Sequence, residues 1–526
     1  MSTPAALRIR RSIADIQADY DAGNKTELET LMRAWKGMKE LPPSDPNSFF
    51  MLGGYHGEPF RGDGETNPQW WGGYCQHGTV LFPTWHRAYL WRLEQALQSI
   101  PGCESVMLPF WDECSAASQK SGIPSALTDE FFTLDGQQIA NPLRSFVFPV
   151  AVDDQVQGDN ALYSKPVGYE TVRYPLSGLV GTPQDQAATA AHNAQFPNYA
   201  QNVGILNDNI SAWLTTQLTI GTSTFGLIHD KFIRCLDAPN YTLFSNTTSQ
   251  AAWNNANPHN LVVALESPHN SIHLAVGGFD VPGYDASPIA GANGDMGEND
   301  TAGLDPIFYF HHCFIDYTLW TWQKRHGATD GFTIDASDPG AVYVLGGNNS
   351  PPAGADPNAP ITMQTALDPF TKADGSAFTS DDVVNIETQL GYTYGPGSLD
   401  SYANPPTKAF TELAATAGRT LHVGSVNRAK IRGSFLITAY TEVDGKPQVI
   451  GHEAVLSRWH VEGCANCQSH LKASADFRLP PDLADNAGAV TVEVRTHQGV
   501  LGGPHAPAAK SVLLAETAVD YTVEMR

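Results

Sequence analysis

Long apolar runs are missing from this sequence, and so are the motifs of several common enzyme classes. No run reaches the about 18 apolar residues that a membrane-spanning helix needs, so we expect no membrane span. The chain has no Walker P-loop, no GxSxG, no HExxH and no glycine-rich dinucleotide turn. Basic residues are scarce: 31 Lys and Arg stand against 55 Asp and Glu, a formal net charge of −24. A surface of that sign repels nucleic acid and anionic membranes, and neither is expected as a partner.

Cysteine is sparse as well, with 7 residues scattered over a chain of 526. An odd, scattered set argues against a disulfide scaffold and fits a reducing compartment. The basic N-terminal stretch has no apolar segment behind it, so we expect no secretory signal and a cytoplasmic protein. Processed or leaderless secretion stays open. With 42% hydrophobic residues, a chain of this length predicts a globular protein of more than one domain.

Capping residues and apolar spacing predict a mainly helical first part of the chain. Helices are expected after a capping box of Thr26 and Glu29, from about Trp85 to Ser99, from Ser267-Pro268 to Gly277-Gly278, and from Asp305-Pro306 to about His326-Gly327. Beyond about residue 405, short segments rich in β-forming residues alternate with turns, at 434–441, 489–495 and 511–516. We therefore predict a helical domain over 1–400, a linker over 401–408 and an antiparallel, β-sandwich-like domain over 409–526.

Histidines are clustered in three stretches. His77 is expected in a loop and His86 near the start of a predicted helix, with Gly-Thr-Val-Leu-Phe-Pro-Thr-Trp between them. In His269-Asn-Ser-Ile-His273 the spacing of four residues puts both imidazoles on one helical face, which suits a shared metal. A core or polar-face histidine without a metal is the structural alternative for each stretch.

The third stretch holds the adjacent pair His311 and His312. Neighbours on a helix point about 100° apart, so only one of the two is expected to reach a given metal. Asp316 lies one turn after His312 and is a candidate acceptor that orients an imidazole.

In order and spacing, these stretches resemble the family of tyrosinases, catechol oxidases and mollusc-type hemocyanins. The text from His77 to Glu94 is similar to the family's His-x4-Phe-Pro-x-Trp-His-Arg motif, and 305–316 is similar to Asp-Pro-x-Phe-x3-His-x3-Asp. The segment around His56 resembles fungal members. The resemblance covers about residues 5–400 and implies a mainly α catalytic domain with a four-helix bundle around a dicopper centre.

The resemblance also implies a set of ligands and modified residues. One copper would be held by His56, His77 and His86, and the other by His269, His273 and His312, with His311 as a neighbour that is not a ligand. All-imidazole sites suit copper, and three ligands per ion leave a position open for O₂. Cys75-Gln-His77 resembles members with a thioether between the cysteine sulfur and the imidazole, against the alternative of a free buried cysteine. Tyr392-Thr-Tyr394 matches a segment on which a basic residue packs, here Arg8 or Arg10.

The activity implied is that of a type 3 copper enzyme that ortho-hydroxylates monophenols and oxidises o-diphenols to o-quinones, with two copper ions as cofactor. Small phenols and O₂ are the expected partners, and a homo-oligomer is possible. Glu266 and Asn270 resemble a pair that holds a water as base, whereas a carboxylate at a helix N-terminus is the structural alternative for Glu266. Three other functions stay open: a catechol oxidase or o-aminophenol oxidase without monophenolase activity, a hemocyanin-like oxygen carrier, and a structural zinc protein. The single unit favours an enzyme.

The same resemblance places Leu274, Asn299 and Phe308 at the substrate pocket. Asn299 stands where many members have a small apolar residue, which predicts a preference for more polar phenols or o-aminophenols.

The C-terminal domain is expected to cover the copper site and to insert one aromatic side chain from among Trp459, Tyr440 and Phe435. Such a cover implies a latent enzyme. His460, Cys464, Cys467 and His470 form a second candidate site for Cu(I) or Zn²⁺, of the kind that relays copper. The alternative is an inert cysteine pair on a hairpin.

Overall fold

The computed structural model describes residues 7–57, 73–154, 162–220, 223–226, 228–281, 291–343, 360–404, 419–443, 445–461, 464–468, 470–479, 490–497, 499–502 and 520–526. The α-helices are α1 Ile13–Asp21, α2 Thr26–Glu40, α3 Phe49–Gly54, α4 Phe82–Gln98, α5 Ala116–Ser121, α6 Pro183–Asn193, α7 Tyr199–Thr215, α8 Ile228–Cys235, α9 Tyr241–Ser245, α10 Thr247–Ala256, α11 Glu266–Gly277, α12 Ile307–His326, α13 Asp400–Ala403 and α14 Ala465–Gln468. The β-strands are β1 Arg8–Arg10, β2 Phe131–Leu134, β3 Gln137–Ala140, β4 Gln217–Ile220, β5 Ser223–Gly226, β6 Ala366–Thr371, β7 Ala377–Thr379, β8 Tyr392–Tyr394, β9 Thr420–Asn427, β10 Phe435–Val443, β11 Lys446–Val455, β12 Lys472–Arg478, β13 Val490–Thr496, β14 Gly499–Gly502 and β15 Thr522–Met525.

The longest helix, α12, is the centre of the helical part. Its residues are buried from Ile307 to Gln323 on every face, as expected of a helix surrounded by other elements. The helix ends where Gly327 takes the left-handed conformation at φ 63°, after three basic residues that favour the negative end of the helix dipole. Helices α4 and α11 lie near it, and these three helices carry four of the six predicted ligands.

The predicted helices are confirmed, but several of their starts are not. Thr26 lies inside the first turn of α2, and the capping position is Lys25 without a side-chain cap, so the predicted capping box is wrong. Helix α4 begins at Phe82, because Pro83 fits the first turn, where its missing N–H costs no hydrogen bond. Helix α11 begins at Glu266, also without a side-chain cap.

The C-terminal part consists of antiparallel sheets, as predicted. One sheet has the strand order β11-β10-β13-β14 and the other β12-β9-β15. Alternate residues of both sheets meet in one apolar core, which includes Leu421, Val423, Phe435, Ile437, Phe477 and Val494. The domain limits stay a prediction: most of the proposed linker, and the proposed strand at 511–516, lie outside the described residues.

Ion pairs join the C-terminal sheets to the helical part. Arg495 of β13 contacts Asp280 after α11 at 3.2 Å, and Lys231 of α8 contacts Glu453 of β11 at 2.8 Å. In the part of the chain that the structure describes, no helix is both long and apolar enough to cross a membrane.

Candidate metal centre

The first of two histidine groups joins a loop, a helix end and a helix. His56 follows α3, His77 lies in the loop before α4, and His86 is in the first turns of α4. One ring nitrogen from each lies within 4.8 Å of the others, and all three side chains are buried. Within the described residues, both ring nitrogens of His56 and of His77 and the Nε2 of His86 have no hydrogen-bond partner. Buried polar atoms without a partner are costly, and a metal ion bound by these nitrogens would remove that cost.

The second group is built by α11 and α12. The Nε2 atoms of His269 and His273 each lie 3.3 Å from the Nε2 of His312. The Nδ1 of His273 donates to the carbonyl of Met296 at 2.8 Å, and that of His269 to Asn270 Oδ1 at 2.9 Å. The Nδ1 of His86 in the first group donates likewise to the carbonyl of Phe82, at 2.7 Å. Because Nδ1 carries the proton in each case, Nε2 is left with a lone pair for a metal.

The spacing of the second group fits a metal ion. Imidazole nitrogens bound at about 2.0–2.1 Å with tetrahedral angles are roughly 3.3 Å apart, which is the separation of these Nε2 atoms. Burial lowers the pKa of every one of these histidines, with values of about 3 for His86 and about 4 for His273. The rings are therefore neutral at physiological pH, as metal ligands must be.

His311 also lies beside the second group. One of its ring nitrogens falls within the same 4.8 Å set. Its ring stacks on that of His269 at 5.1 Å and 24°, its Nδ1 donates to Glu113 Oε1 at 2.6 Å, and its Nε2 has no hydrogen-bond partner among the described residues. The assignment of His312 as the third ligand, with His311 as its neighbour, stays a prediction; the 3.3 Å separations of His312 Nε2 from both His269 and His273 support it.

Asp316 does not orient an imidazole, and that prediction is wrong. Its carboxylate accepts from Arg87 at 2.5 Å and from the hydroxyls of Tyr392 and Tyr394 at 2.6 Å each. Arg10 joins the same cluster: it lies 3.5 Å from Asp316, and its guanidinium stands 3.7 Å above the Tyr392 ring. Of the two arginines proposed for the Tyr-x-Tyr segment, Arg10 is thus confirmed.

Glu266 is fully buried and held by three donors. Its Oε1 accepts from the amide of Gly78 at 2.9 Å, and its Oε2 accepts from the amide and hydroxyl of Thr247 at 2.8 and 3.0 Å. Burial raises the pKa of Glu266, although these bonds and nearby Arg428 oppose the shift. The carboxylate is thus tied to the residue that follows His77.

The other predicted pocket residues surround the two groups. Phe308 stacks on the His312 ring at 3.9 Å and contacts that of His56 at 4.7 Å. Asn299 is buried, and its amide donates to Cys75 Sγ at 3.4 Å, so in this structure it contacts the cysteine. Leu274 is fully buried on α11.

Segments of the C-terminal part lie directly on the first group. Asn466 donates to the carbonyl of His77 at 2.8 Å, Arg458 donates to that of His56 at 3.2 Å, and a Cβ on Gly78 would come within 2.6 Å of the His470 ring. Sequence reasoning missed Arg458 and Asn466, as well as Glu113. Arg458 and Asn466 contact residues more than 380 positions away, and such contacts leave no local pattern in the sequence. The position of Arg458 beside the candidate residues Trp459 and His460 was the signal that could have pointed to it.

The three aromatic residues proposed to enter the site lie elsewhere. Phe435 belongs to the core of the sheets, Tyr440 donates to Glu493 at 3.4 Å, and Trp459 packs on Tyr163 at 5.8 Å. Among the described ring contacts, none joins these three to the six histidines, so the structure favours none of them.

The proposed second metal site is not assembled. Cys464 and Cys467 form a disulfide, His460 lies 3.7 Å from Asp154, and His470 packs on Gly78. A disulfide offers no thiolate, so metal binding there stays a prediction for the reduced protein.

Two buried groups of neutral imidazoles, facing each other inside a helical core, define a type 3 dinuclear copper centre. The model of the common central domain of tyrosinase matches residues 46–325. A tyrosinase from Hahella sp. is 49% identical over 94% of both chains, and one from Aspergillus oryzae is 42% identical over 94% of this chain and 93% of the relative. The solved tyrosinase of Burkholderia thailandensis at low pH has 50% identity and a TM-score of 0.83, covering 99% of this chain and 100% of its own. The chain belongs to the tyrosinase family and is a copper-dependent oxidoreductase that acts on phenols with O₂.

Proposed function

We propose that this chain both hydroxylates monophenols at the ortho position and oxidises o-diphenols to o-quinones, with copper held by His56, His77 and His86 and by His269, His273 and His312. The observation that carries the proposal is the convergence of these buried, neutral rings with free lone pairs. When bound, the copper pair supplies the binding and activation of O₂. Small phenols and O₂ are the partners, and a homo-oligomer stays a prediction.

Glu266 and Asn270 are the residues that separate a monophenolase from a catechol oxidase in this proposal. Hydroxylation requires that the phenol lose its proton, and a general base speeds such a step. Glu266 Oε1 accepts one bond from Gly78 and has room for a second, and Asn270 uses its oxygen on His269 but keeps two N–H donors. Together they can hold one water that takes the proton. The raised pKa of Glu266 makes it a stronger base than an ordinary carboxylate.

The substitution Glu266→Gln tests this role. It keeps the shape of the side chain but removes the base, and we expect kcat/KM for a monophenol such as tyrosine to fall by about 100-fold. Oxidation of catechol, which releases its protons more readily, should fall much less. The rate of quinone formation, measured at equal copper content, gives the ratio of kcat/KM for tyrosine to kcat/KM for catechol in each protein. An equal loss on both substrates would show that Glu266 only holds the Gly78 loop, and quinone from catechol alone in the wild type would make the chain a catechol oxidase.

The proposal also includes a thioether between Cys75 and His77 and a covering role for the C-terminal part. Cys75 is buried and is not in a disulfide. The contacts of Asn466, Arg458 and His470 with the loops of the first group, and the near-complete burial of all six histidines, support the cover.

A further inference from the structure

We infer that Glu113 is a positioning residue of the second histidine group, and that it acts through His311 to fix the ring of the ligand His269. The inference rests on the proposed function, because it takes His269 as a ligand of the second copper ion. It adds to that group two residues that are not ligands but decide how one ligand is oriented.

Of the two ligands on α11, His269 has the weaker hydrogen-bond restraint. The Nδ1 of His273 bonds to a backbone carbonyl, that of Met296. The Nδ1 of His269 bonds instead to the side-chain oxygen of Asn270, the residue that follows it. A side-chain amide turns about its own χ angles, whereas a carbonyl within a packed turn does not. The bond to Asn270 therefore holds the His269 ring less firmly than the Met296 carbonyl holds that of His273.

His311 supplies a second restraint on the His269 ring. The two imidazoles stack with their centroids 5.1 Å apart and an angle of 24° between their planes. Both residues are fully buried, and in a close-packed interior a large turn of one stacked ring would drive it into the other. The same His311 ring also stands edge-on to His273, at 5.0 Å and 84°. It therefore contacts both ligands that α11 contributes.

The orientation of His311 depends in turn on Glu113. The Nδ1 of His311 donates to Glu113 Oε1 at 2.6 Å, and within the described residues this is the one hydrogen bond of the ring, because its Nε2 has no partner. The Glu113 side chain is fully buried, and its Oε2 has no partner there either. Burial of a carboxyl group is costly, and hydrogen bonds offset the cost only in part when one oxygen stays without a partner. Fixing the His311 ring is the role that the contacts of this buried group provide.

The loop that carries Glu113 is anchored by the two residues before it. The amide of Trp111 donates to the carbonyl of Phe310 in α12 at 3.0 Å. The carboxylate of Asp112 accepts from the amide of Ser398 at 2.8 Å and also from its hydroxyl. These bonds hold the loop in place beside α12, so that Glu113 sets the angle of the imidazole instead of following it.

The test compares how firmly both copper ions are held in Glu113→Leu, Glu113→Gln and the wild type. Full-length, copper-loaded protein is titrated with a copper chelator, and the copper that remains per chain is measured. Loss of a group that orients metal-bound histidines lowers metal affinity about 10–100-fold, so Glu113→Leu should release one ion at roughly a tenth of the wild-type chelator concentration or less. Glu113→Gln keeps an acceptor oxygen and should match the wild type. Glu113→Ala repeats the measurement without added apolar bulk, should Glu113→Leu not fold.

Electron paramagnetic resonance of the same samples, in the oxidised form, shows which ion is lost. A coupled pair of Cu(II) ions gives no signal, whereas a single Cu(II) ion does. The signal that appears in Glu113→Leu should match that of His269→Ala, in which the first histidine group alone is expected to hold copper. Release of both ions together, or a signal unlike that of His269→Ala, overturns the inference.

A double variant shows whether Glu113 acts through His311. His311→Phe keeps a ring against His269 but has no bond to Glu113, so adding Glu113→Leu to it should weaken copper binding no further. A further loss as large as that caused by Glu113→Leu alone overturns the inference, because Glu113 would then act by another route. If His311→Phe by itself releases copper as readily as His269→Ala, then His311 is a ligand, and the supporting role fails.

Asp112→Leu is the matched control. Asp112 is a buried carboxylate in the same loop, but it bonds to Ser398 and not to a histidine. Both ions should therefore leave at the chelator concentration of the wild type. If Asp112→Leu loses one ion as easily as Glu113→Leu, disturbance of the loop explains the effect and the inference is overturned. A wild type that binds fewer than two copper ions overturns the ligand assignment in the proposed function, and this inference with it.

Discussion

At the scale of the residue, the centre depends on buried charges that have no metal role. Asp316 joins Arg87 of α4, Arg10 of β1 and both tyrosines of β8, and so ties three elements around α12. Burial alone would raise the pKa of Asp316, but Arg87, Arg10 and the two hydroxyls hold it below its usual range. Asp316 is therefore ionised in the folded protein at neutral pH.

The substitution Asp316→Asn should lower the free energy of unfolding by about 3–5 kcal/mol at neutral pH, because it leaves the buried Arg87 without its carboxylate partner, whereas Arg10 keeps Glu94 at 2.9 Å. A carboxyl with a depressed folded pKa stabilises the fold above its unfolded pKa of about 3.9, and the contribution is lost as the pH falls through the folded value. The difference between wild type and variant should thus be constant at neutral pH and shrink below about pH 4. Denaturant unfolding over a pH series measures it.

Asp19→Asn is the control for that series. Asp19 pairs with Arg11 at 2.7 Å on the surface, where such pairs contribute about 0–1 kcal/mol. A loss in Asp316→Asn as small as in Asp19→Asn would contradict the role of the buried cluster.

At the scale of the element, the sequence predicts helices well where proline and glycine mark their ends. Gly278 and Gly327 end α11 and α12 where expected, and the spacing of His269 and His273 puts both on one face. The start of α4 was missed because Pro83 resembles a loop residue until its place in the first turn is known. The carbonyl of Met296, which fixes the tautomer of His273, comes from a distant turn and carries no signal in its side chain.

The close approach of α11 to the turn that carries Met296 depends on Gly277. A Cβ on Gly277 would collide with the backbone of Gly297, so α11 and the turn of Met296 can be this close only with glycine. We expect Gly277→Ala to lower the free energy of unfolding by about 1–3 kcal/mol through overpacking, and to weaken copper retention because His273 loses its carbonyl partner. Thermal unfolding measures the change in stability, and dialysis against a copper chelator measures how well copper is retained.

Gly204 provides the comparison on another helix. It lies exposed in α7 with nothing near its missing Cβ, so Gly204→Ala should be neutral or should stabilise by about 0.5–1 kcal/mol. Equal copper retention in both variants would contradict the link between the turn and His273.

At the scale of the whole molecule, the sequence predicted a helical core and antiparallel sheets, and placed the six histidines, but not how the two parts meet. The contacts of Arg458, Asn466 and His470 with the first group join positions that are far apart in the chain. No periodicity or capping rule reaches over such distances. These contacts support the cover, and its consequence can be tested at an ion pair between α8 and β11.

Lys231 and Glu453 form that pair, at 2.8 Å and largely shielded from solvent, and both side chains also bond to the hydroxyl of Ser267 in α11. Lys231→Glu sets two carboxylates against each other and should favour release of the cover. If the covered form dominates and only the open form admits a bulky phenol, then a shift of about 1.4 kcal/mol raises kcat/KM for a bulky catechol about tenfold. The double variant Lys231→Glu with Glu453→Lys restores opposite charges and should return the activity to the wild-type level. If kcat/KM for the bulky catechol stays raised in the double variant, the charge pair does not hold the cover. If kcat/KM for a small catechol rises as much as for the bulky one, the cover does not control access to the site.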